Sequence, residues 1–113
     1  MHRGDVWLIN LDPTVGAEIK KTRPAVIVND DAVGVLPLRV IVPITEWKDR
    51  YAVAPWMVAL KPDAQNGLDK LSAADAFQVR SLSQSRFIQQ LGILPETTMQ
   101  EINRALALVL AIY

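Results

Sequence analysis

Short apolar runs, each closed by turn residues and none separated from the next by a helical pattern, fill most of this chain, and a single helical stretch follows them. Residues 6–11 (VWLINL) are β-branched and aromatic and stop at Asp12-Pro13. Residues 25–28 (AVIV) form a continuous apolar run entered through Pro24, as a buried strand does. Residues 30–37 are rich in turn formers. Residues 39–44 (RVIVPI) predict another strand, with Pro43 indicating an edge or a bulge near its end. Residues 56–60 (WMVAL) predict a fourth, and residues 74–81 (ADAFQVRS) alternate apolar with polar like a half-buried strand. Residues 87–94 fit either helix or strand; the reading adopted is a helical turn over 83–86 and a strand over 88–91.

From Glu96 the period changes. Met99, Ile102, Leu106, Val109, Leu110 and Tyr113 fall on one face at helical spacing. Pro95 suits the first helical position, and Glu96 favours the positive end of the helix dipole. Leu108 and Ile112 lie off this stripe, so the helix wants a second partner: loops packed over it, or a second copy of the chain. Strands without intervening helices, then a terminal helix, predict a mainly β (α+β) small antiparallel barrel of about five to seven strands. A doubly wound sheet would need helices between strands.

A chain of 113 residues, half of them apolar, fits one compact domain spanning residues 1–113 with a single real core. With no cysteine there is no disulfide, thiolate metal site or thiol nucleophile. No apolar run reaches the roughly 20 residues needed to span a bilayer, and the opening Met1-His2-Arg3-Gly4-Asp5 lacks a signal-peptide core. A cytoplasmic protein without membrane contact is expected. The charge balance, 12 basic against 12 acidic side chains, is not that of a sequence-blind nucleic-acid binder. Any such contact must come from a local patch, and basic residues do cluster: Lys20, Lys21 and Arg23; Lys48 and Arg50; Arg80 and Arg86. Scattered solvated charge is the alternative meaning of the same residues.

Most enzyme constellations are missing. The lone histidine, His2, is terminal and unsuited to a triad. There is no His/Cys cluster for zinc and no Gly-rich phosphate loop. The adjacent Asp30 and Asp31 read as turn formers rather than a metal site. No metal or cofactor is expected. Arginine, threonine, glutamate and amide chemistry remain, and this set suits RNA cleavage by the substrate's own 2′-hydroxyl. The protein need only assist proton removal, stabilise charge on the five-coordinate phosphorus and help the 5′-oxygen leave. Arginine fits the middle task through its planar fork. Arg23, beside Pro24 at a strand entrance, and Thr45, at the end of Pro43-Ile44-Thr45, are candidates; each is equally at home as an ordinary strand-end group.

These residues match a family. Arg3-Gly4-Asp5-Val6-Trp7, Leu11-Asp12-Pro13, Gly16-Ala17-Glu18 and Thr22-Arg23-Pro24-Ala25-Val26-Ile27-Val28 closely resemble the opening of MazF/PemK toxins. Pro43-Ile44-Thr45 looks like the second motif of that family, and Gln78-Val79-Arg80-Ser81, followed by Arg86, like the third. The resemblance covers essentially the whole chain. It implies an SH3-like barrel, a homodimer and sequence-specific cleavage of single-stranded RNA. It further implies a co-encoded antitoxin whose extended tail fills the active groove, in a complex able to bind operator DNA. It carries the catalytic arginine onto Arg23, the catalytic threonine onto Thr45 and the acidic position onto Glu18, and it puts Gln78 where RNA bases are contacted. Phe77 and Ser83 depart from the pattern, standing where acidic residues are common.

A guanidinium is a poor base at neutral pH. Arg23 is therefore read as the phosphorane stabiliser, Thr45 as a hydrogen-bond donor and Glu18 as the base. Lys20, Lys21, Gln78, Arg80 and Lys48 are read as RNA-binding, with Trp47. Trp47, Tyr51 and Trp56 lie in or beside a basic loop and suit base stacking, or equally a cover for the barrel mouth or an antitoxin contact. Two other functions compete: a non-enzymatic CcdB-type toxin that poisons a topoisomerase by binding, and an SH3-like nucleic-acid-binding module without chemistry.

Overall fold

The computed structural model describes residues 1–34 and 36–112. Its strands are β1 (Asp5–Asn10), β2 (Thr22–Ile27), β3 (Leu38–Glu46), β4 (Met57–Leu60), β5 (Ser72–Asp75), β6 (Arg80–Ser83) and β7 (Phe87–Ile93), followed by helix α1 (Glu96–Val109). The strands form one sheet in the order β4-β5-β3-β2-β1-β7, with β6 on β3, and all pairings are antiparallel.

The apolar run at Ala25–Val28 is continuous because both faces of β2 are covered. Val26 and Val28 join one core cluster with Val6, Val42 and Ile44, while Ala25 and Ile27 join another with Ile9, Leu11, Ile41 and Leu82. Helix α1 closes the first cluster with Met99, Ile102 and Ala105, all buried. Truncating a side chain such as Ile102 to Ala in this setting costs about 2–5 kcal/mol.

Strand β3 organises the sheet. One edge pairs with β2 (Ala25↔Pro43, Val26↔Val42, Ile27↔Ile41). The other pairs first with β6 over Leu38–Ile41 and then with β5 over Ile44–Glu46. Of the two expectations for Pro43, an edge or a bulge, the outer edge is excluded: it is buried mid-sheet, at an interruption of the ladder where β3 changes partners. Neither Val42 nor Pro43 pairs on that second edge, so a residue without an N–H leaves no ladder bond unmade.

The sheet's two ends meet through the segment between β4 and β5. Gln65 carbonyl accepts from the Ile93 amide of β7 at 2.9 Å. A Cβ on Gly92 would come 2.0 Å from that same carbonyl oxygen, and one on Gly67 would come 2.1 Å from the Leu91 carbonyl oxygen. The two backbones pack so closely that only glycine fits at either position.

Three sequence expectations need correction. The single strand predicted over 74–81 is β5, a 3-10 turn at Ala76–Gln78 and β6. The alternation of burial is lost: Ala74, Asp75 and Ala76 are all buried and Phe77 is exposed, and Asp75 caps the turn, its carboxylate accepting from the Phe77 amide at 3.1 Å. Pro95 is the extended residue before the helix (ψ 160°), and Glu96 is the first helical one. Leu110, assigned to the buried stripe, is exposed at the helix C-cap, as are the off-stripe Leu108 and Ile112. Tyr113 lies outside the described residues.

Candidate functional site

Strands β2 and β3 are hydrogen-bonded only as far as Ala25↔Pro43. Beyond that couple β2 continues beside β1, pairing Pro24 with Leu8 and Arg23 with Ile9, whereas β3 continues beside β5. The two strands part like the prongs of a fork. Pro24 and Pro43 flank the branch, and neither carries an N–H that would be stranded there. The wedge between the prongs is a cavity of about 340 Å³. Arg23 and Pro24 line one wall and Ile44, Thr45 and Glu46 the other, with Lys70 from the β4–β5 segment and Ser72 at the start of β5 closing the end.

Arg23 and Thr45 each stand two residues past the last paired couple, both half-buried, on opposite walls of this one cavity. Strand alternation also sets them on one face of the sheet, with Ala25, Ile27, Pro43 and Ile41. Strand β2 begins at Thr22, so Arg23 sits within a paired strand and not at its threshold. Its Nε donates to the Lys20 carbonyl at 3.3 Å. That leaves the fork of the guanidinium, the part that binds phosphate oxygens bidentately, without a salt bridge among the described residues.

Glu18 is elsewhere. It is exposed in the β1–β2 loop, Oε1 accepting from the Val15 amide at 2.7 Å, and it lines a neighbouring cavity of about 480 Å³ with Leu11, Ile19, Phe77, Gln78 and Arg80. Pro43 lines this second cavity and its neighbour Ile44 the first. Gln78 is engaged within the protein: Oε1 accepts from the Ile19 amide at 2.6 Å, while Nε2 donates to the Ala17 carbonyl and to Asp75 Oδ2, each at 3.3 Å. Both N–H donors of its amide are thus taken. Asp75 is only 5% exposed, and burial pushes its carboxyl above the ordinary value of 3.8 against the lowering effect of hydrogen bonds from Phe77 and Gln78.

The remaining sequence candidates are distributed around these cavities. Lys20 and Lys21 are exposed on the loop beside Arg23, with Lys21 at φ 70° and its carbonyl accepting from the Leu11 amide. Trp47 follows Glu46 out of the fork and meets Tyr51 edge-on at 5.8 Å; Arg50 lies over the Tyr51 ring. Lys48 is exposed beside them. Trp56 is not part of that group: it packs against Phe77 at 6.0 Å. Asp30 is a turn former as expected, accepting from the Ala32 amide. Sequence reading missed Glu46, Asp69 and Lys70 in the Arg23 cavity, where Lys70 Nζ lies 3.7 Å from Glu46. Nothing in the stretch from 61 to 71 signals that it folds back against β7. Asp75 was also missed, because regular alternation disguised it as an outward polar residue.

Against known proteins, residues 2–110 match the model of the PemK-like, MazF-like toxin of type II toxin-antitoxin systems. The chain belongs to this family. It is 30% identical, over all of its own length and 98% of the relative's, to endoribonuclease MazF9 of Mycobacterium tuberculosis. Among solved structures it is similar to MazF from Deinococcus radiodurans, at 27% identity and a TM-score of 0.82, covering 99% of this chain and 97% of that one. It is likewise similar to MazF in the MazE–MazF complex of that organism, at 27% identity and a TM-score of 0.75, covering 100% and 97%. Seven antiparallel strands with a C-terminal helix are thus the MazF-like fold that the opening motifs implied.

Proposed function

We propose that this MazF/PemK-family toxin is an endoribonuclease that cuts single-stranded RNA through attack of the 2′-hydroxyl, without a metal or cofactor. The observation that carries the proposal is the pairing of Arg23 with Thr45 across one open cavity, in a family whose relatives are named endoribonucleases. The 2′-oxygen loses its proton to a carboxylate and bonds to phosphorus, and the phosphorus–5′-oxygen bond breaks. The products are a 2′,3′-cyclic phosphate and a 5′-hydroxyl, protonated from the solvent-open side. The Arg23 fork stabilises the extra charge on the phosphorane, and the Thr45 hydroxyl adds one donor.

The base is a choice between two glutamates. Glu18, the residue to which family resemblance points, reaches the phosphate only if the ribose spans from the fork toward the neighbouring cavity. Glu46 lines the fork itself, beside Lys70. Arg80 lines the second cavity, Lys20 and Lys21 lie on the loop that leads into Arg23, and Trp47 and Lys48 follow Glu46 out of β3; these would supply phosphate contacts and a stacking surface.

The partners follow from the same reading: a second copy of this chain, and a cognate antitoxin, since the D. radiodurans relative is solved with MazE. With the antitoxin the toxin would bind operator DNA. Among the described residues no helix is long and apolar enough to cross a membrane, and the cytoplasm is where this substrate is met. Incubating purified protein with RNA in EDTA and sequencing the fragment ends tests the activity. Cyclic-phosphate ends at a recurring short motif, lost in Arg23→Ala, are expected; intact RNA overturns the reading and returns the CcdB-type binding toxin to contention.

A further inference from the structure

The β1–β2 loop carries Glu18, Lys20 and Lys21 and runs into Arg23, yet beyond Leu11, buried where the loop begins, it contributes little core: Val15 through Glu18 are exposed, and of residues 12–21 only Ile19 packs against a cluster. Something else must hold it. The base of the loop is closed by the Leu11–Lys21 backbone bond, by Asp12 accepting from the Lys21 amide and by Arg86 donating to the Asp12 carbonyl; its 17–19 stretch is held by a relay of hydrogen bonds that starts deep in the sheet. Asp75, at the end of β5, accepts from the Phe77 amide with Oδ1 and from Gln78 Nε2 with Oδ2. Gln78 then grips the loop at two points, the Ala17 carbonyl and the Ile19 amide. The next residue, Lys20, presents its carbonyl to Arg23 Nε at 3.3 Å. Four links thus connect a buried carboxylate to the guanidinium of the fork.

We propose that Asp75 is a positioning residue for the cleavage reaction, acting through Gln78 and the 17–20 backbone to set the direction of the Arg23 guanidinium. This rests on the nuclease reading above. A primary amide is the side chain the middle of the relay requires. It must accept from one backbone N–H and donate both to a carbonyl and to a carboxylate, and only Asn and Gln offer both functions on one planar group. Asp75 supplies the acceptor that fixes which end of that amide faces the loop. Without it Gln78 could turn over, setting an NH₂ against the Ile19 amide and an oxygen against the Ala17 carbonyl. Gln78 thereby has a task other than touching RNA bases, and both of its donors are committed to it. Apart from the β1 ladder, the Lys20 carbonyl is the sole partner of Arg23 among the described hydrogen bonds, so loosening the 17–20 backbone loosens the guanidinium.

The test is a mismatch and its repair. Gln78→Glu puts a carboxylate against Asp75 and against the Ala17 carbonyl. Asp75→Asn sets amide donors against donors, whichever way the new amide turns. The double variant, Asp75→Asn with Gln78→Glu, restores the pair with donor and acceptor exchanged, and keeps the bond to the Ile19 amide. Two readouts are taken: exchange and relaxation of the Arg23 Nε–H and the Ile19 amide by NMR, and single-turnover RNA cleavage with RNA affinity measured in parallel. Each single variant is expected to mobilise both NMR probes and slow cleavage roughly 10- to 100-fold, with RNA affinity within about threefold. The double variant repairs the link to residue 75 and keeps the Ile19 amide bond but still sets a carboxylate against the Ala17 carbonyl, so it should recover part of the rate and the protection, above either single variant.

Wild-type protection of both probes in the single variants, or a double variant no better than the worse single, overturns the inference. If the wild-type protein does not cut RNA, the activity assignment falls, and the NMR series alone decides the relay. Should Asp75→Asn fail to fold, Gln78→Asn, whose amide is one methylene too short to reach the loop, reads the same connection.

Discussion

At the scale of single residues, the fork contains one guanidinium (Arg23), one ammonium (Lys70), hydroxyls that include Thr45, and carboxylates, and their roles separate by substitution. Arg23→Lys keeps the charge and loses the bidentate geometry; cleavage should drop ~10²-fold or more while RNA binding changes far less. A lysine enzyme as fast as wild type would reduce Arg23 to a point charge. Glu18→Gln and Glu46→Gln identify the base: one should flatten the acid limb of the pH–rate profile and the other leave it in place. If both retain the limb, neither carboxylate takes the proton. Asp75 makes a separate prediction through its raised carboxyl. The folded chain holds that proton to higher pH than the unfolded chain, so the wild type loses stability as pH rises from the ordinary value of 3.8 through the raised one. Relative to Asp75→Asn, which has no proton to lose, its urea midpoint should therefore fall over that interval; a rising difference would contradict the direction of the shift.

At the scale of elements, much was legible. The apolar runs located β1, β3, β4 and β7 to within a few residues, since strands buried on one or both faces must be written in β-branched and apolar residues. Helix α1 was plain from its period. Legibility failed where one pattern serves two structures. Alternation over residues 74–81 suits a strand, but it equally accommodates two short strands around a 3-10 turn, and a buried capping aspartate looks the same in sequence as an exposed one. Pro43 announced an interruption without saying that the interruption was a change of partner strand. Helix α1 also keeps Leu108 exposed beside Pro55, Trp56 and Phe77 in an apolar hollow. If this face joins two copies, Leu108→Glu should move the protein from dimer to monomer in sedimentation. An unchanged dimer would put the interface on the strands instead.

For the molecule as a whole, Arg23 and Thr45 were legible as members of short motifs, but not as neighbours, because 21 intervening positions hide the register that joins them. The β4–β5 segment was less legible still. Its Pro, Asp, Asn and Gly residues read as an ordinary loop, while the structure uses it to tie the β4–β5 end of the sheet to β7 and to end the fork cavity with Lys70. Gly92→Ala tests that tie. The added Cβ would fall 2.0 Å from the Gln65 carbonyl oxygen, backbone against backbone. A loss of about 2 kcal/mol or more is expected in denaturant unfolding, together with weaker RNA cleavage as Lys70 shifts. A neutral substitution would mean the segment is looser than its hydrogen bond implies.

The fork has a consequence for how such toxins diversify. Its two walls are sheet backbone, stiffened at the branch by Pro24 and Pro43, whereas Val15 to Lys21 is loop and Trp47 to Val53 is a connection that ends in a 3-10 turn at Asp49–Val53. The reacting groups and the surfaces that would choose among nucleotide sequences are thus inherited on separable parts. Grafting the 47–53 loop of one homologue onto another should exchange the preferred target word while the type of cut RNA end stays the same.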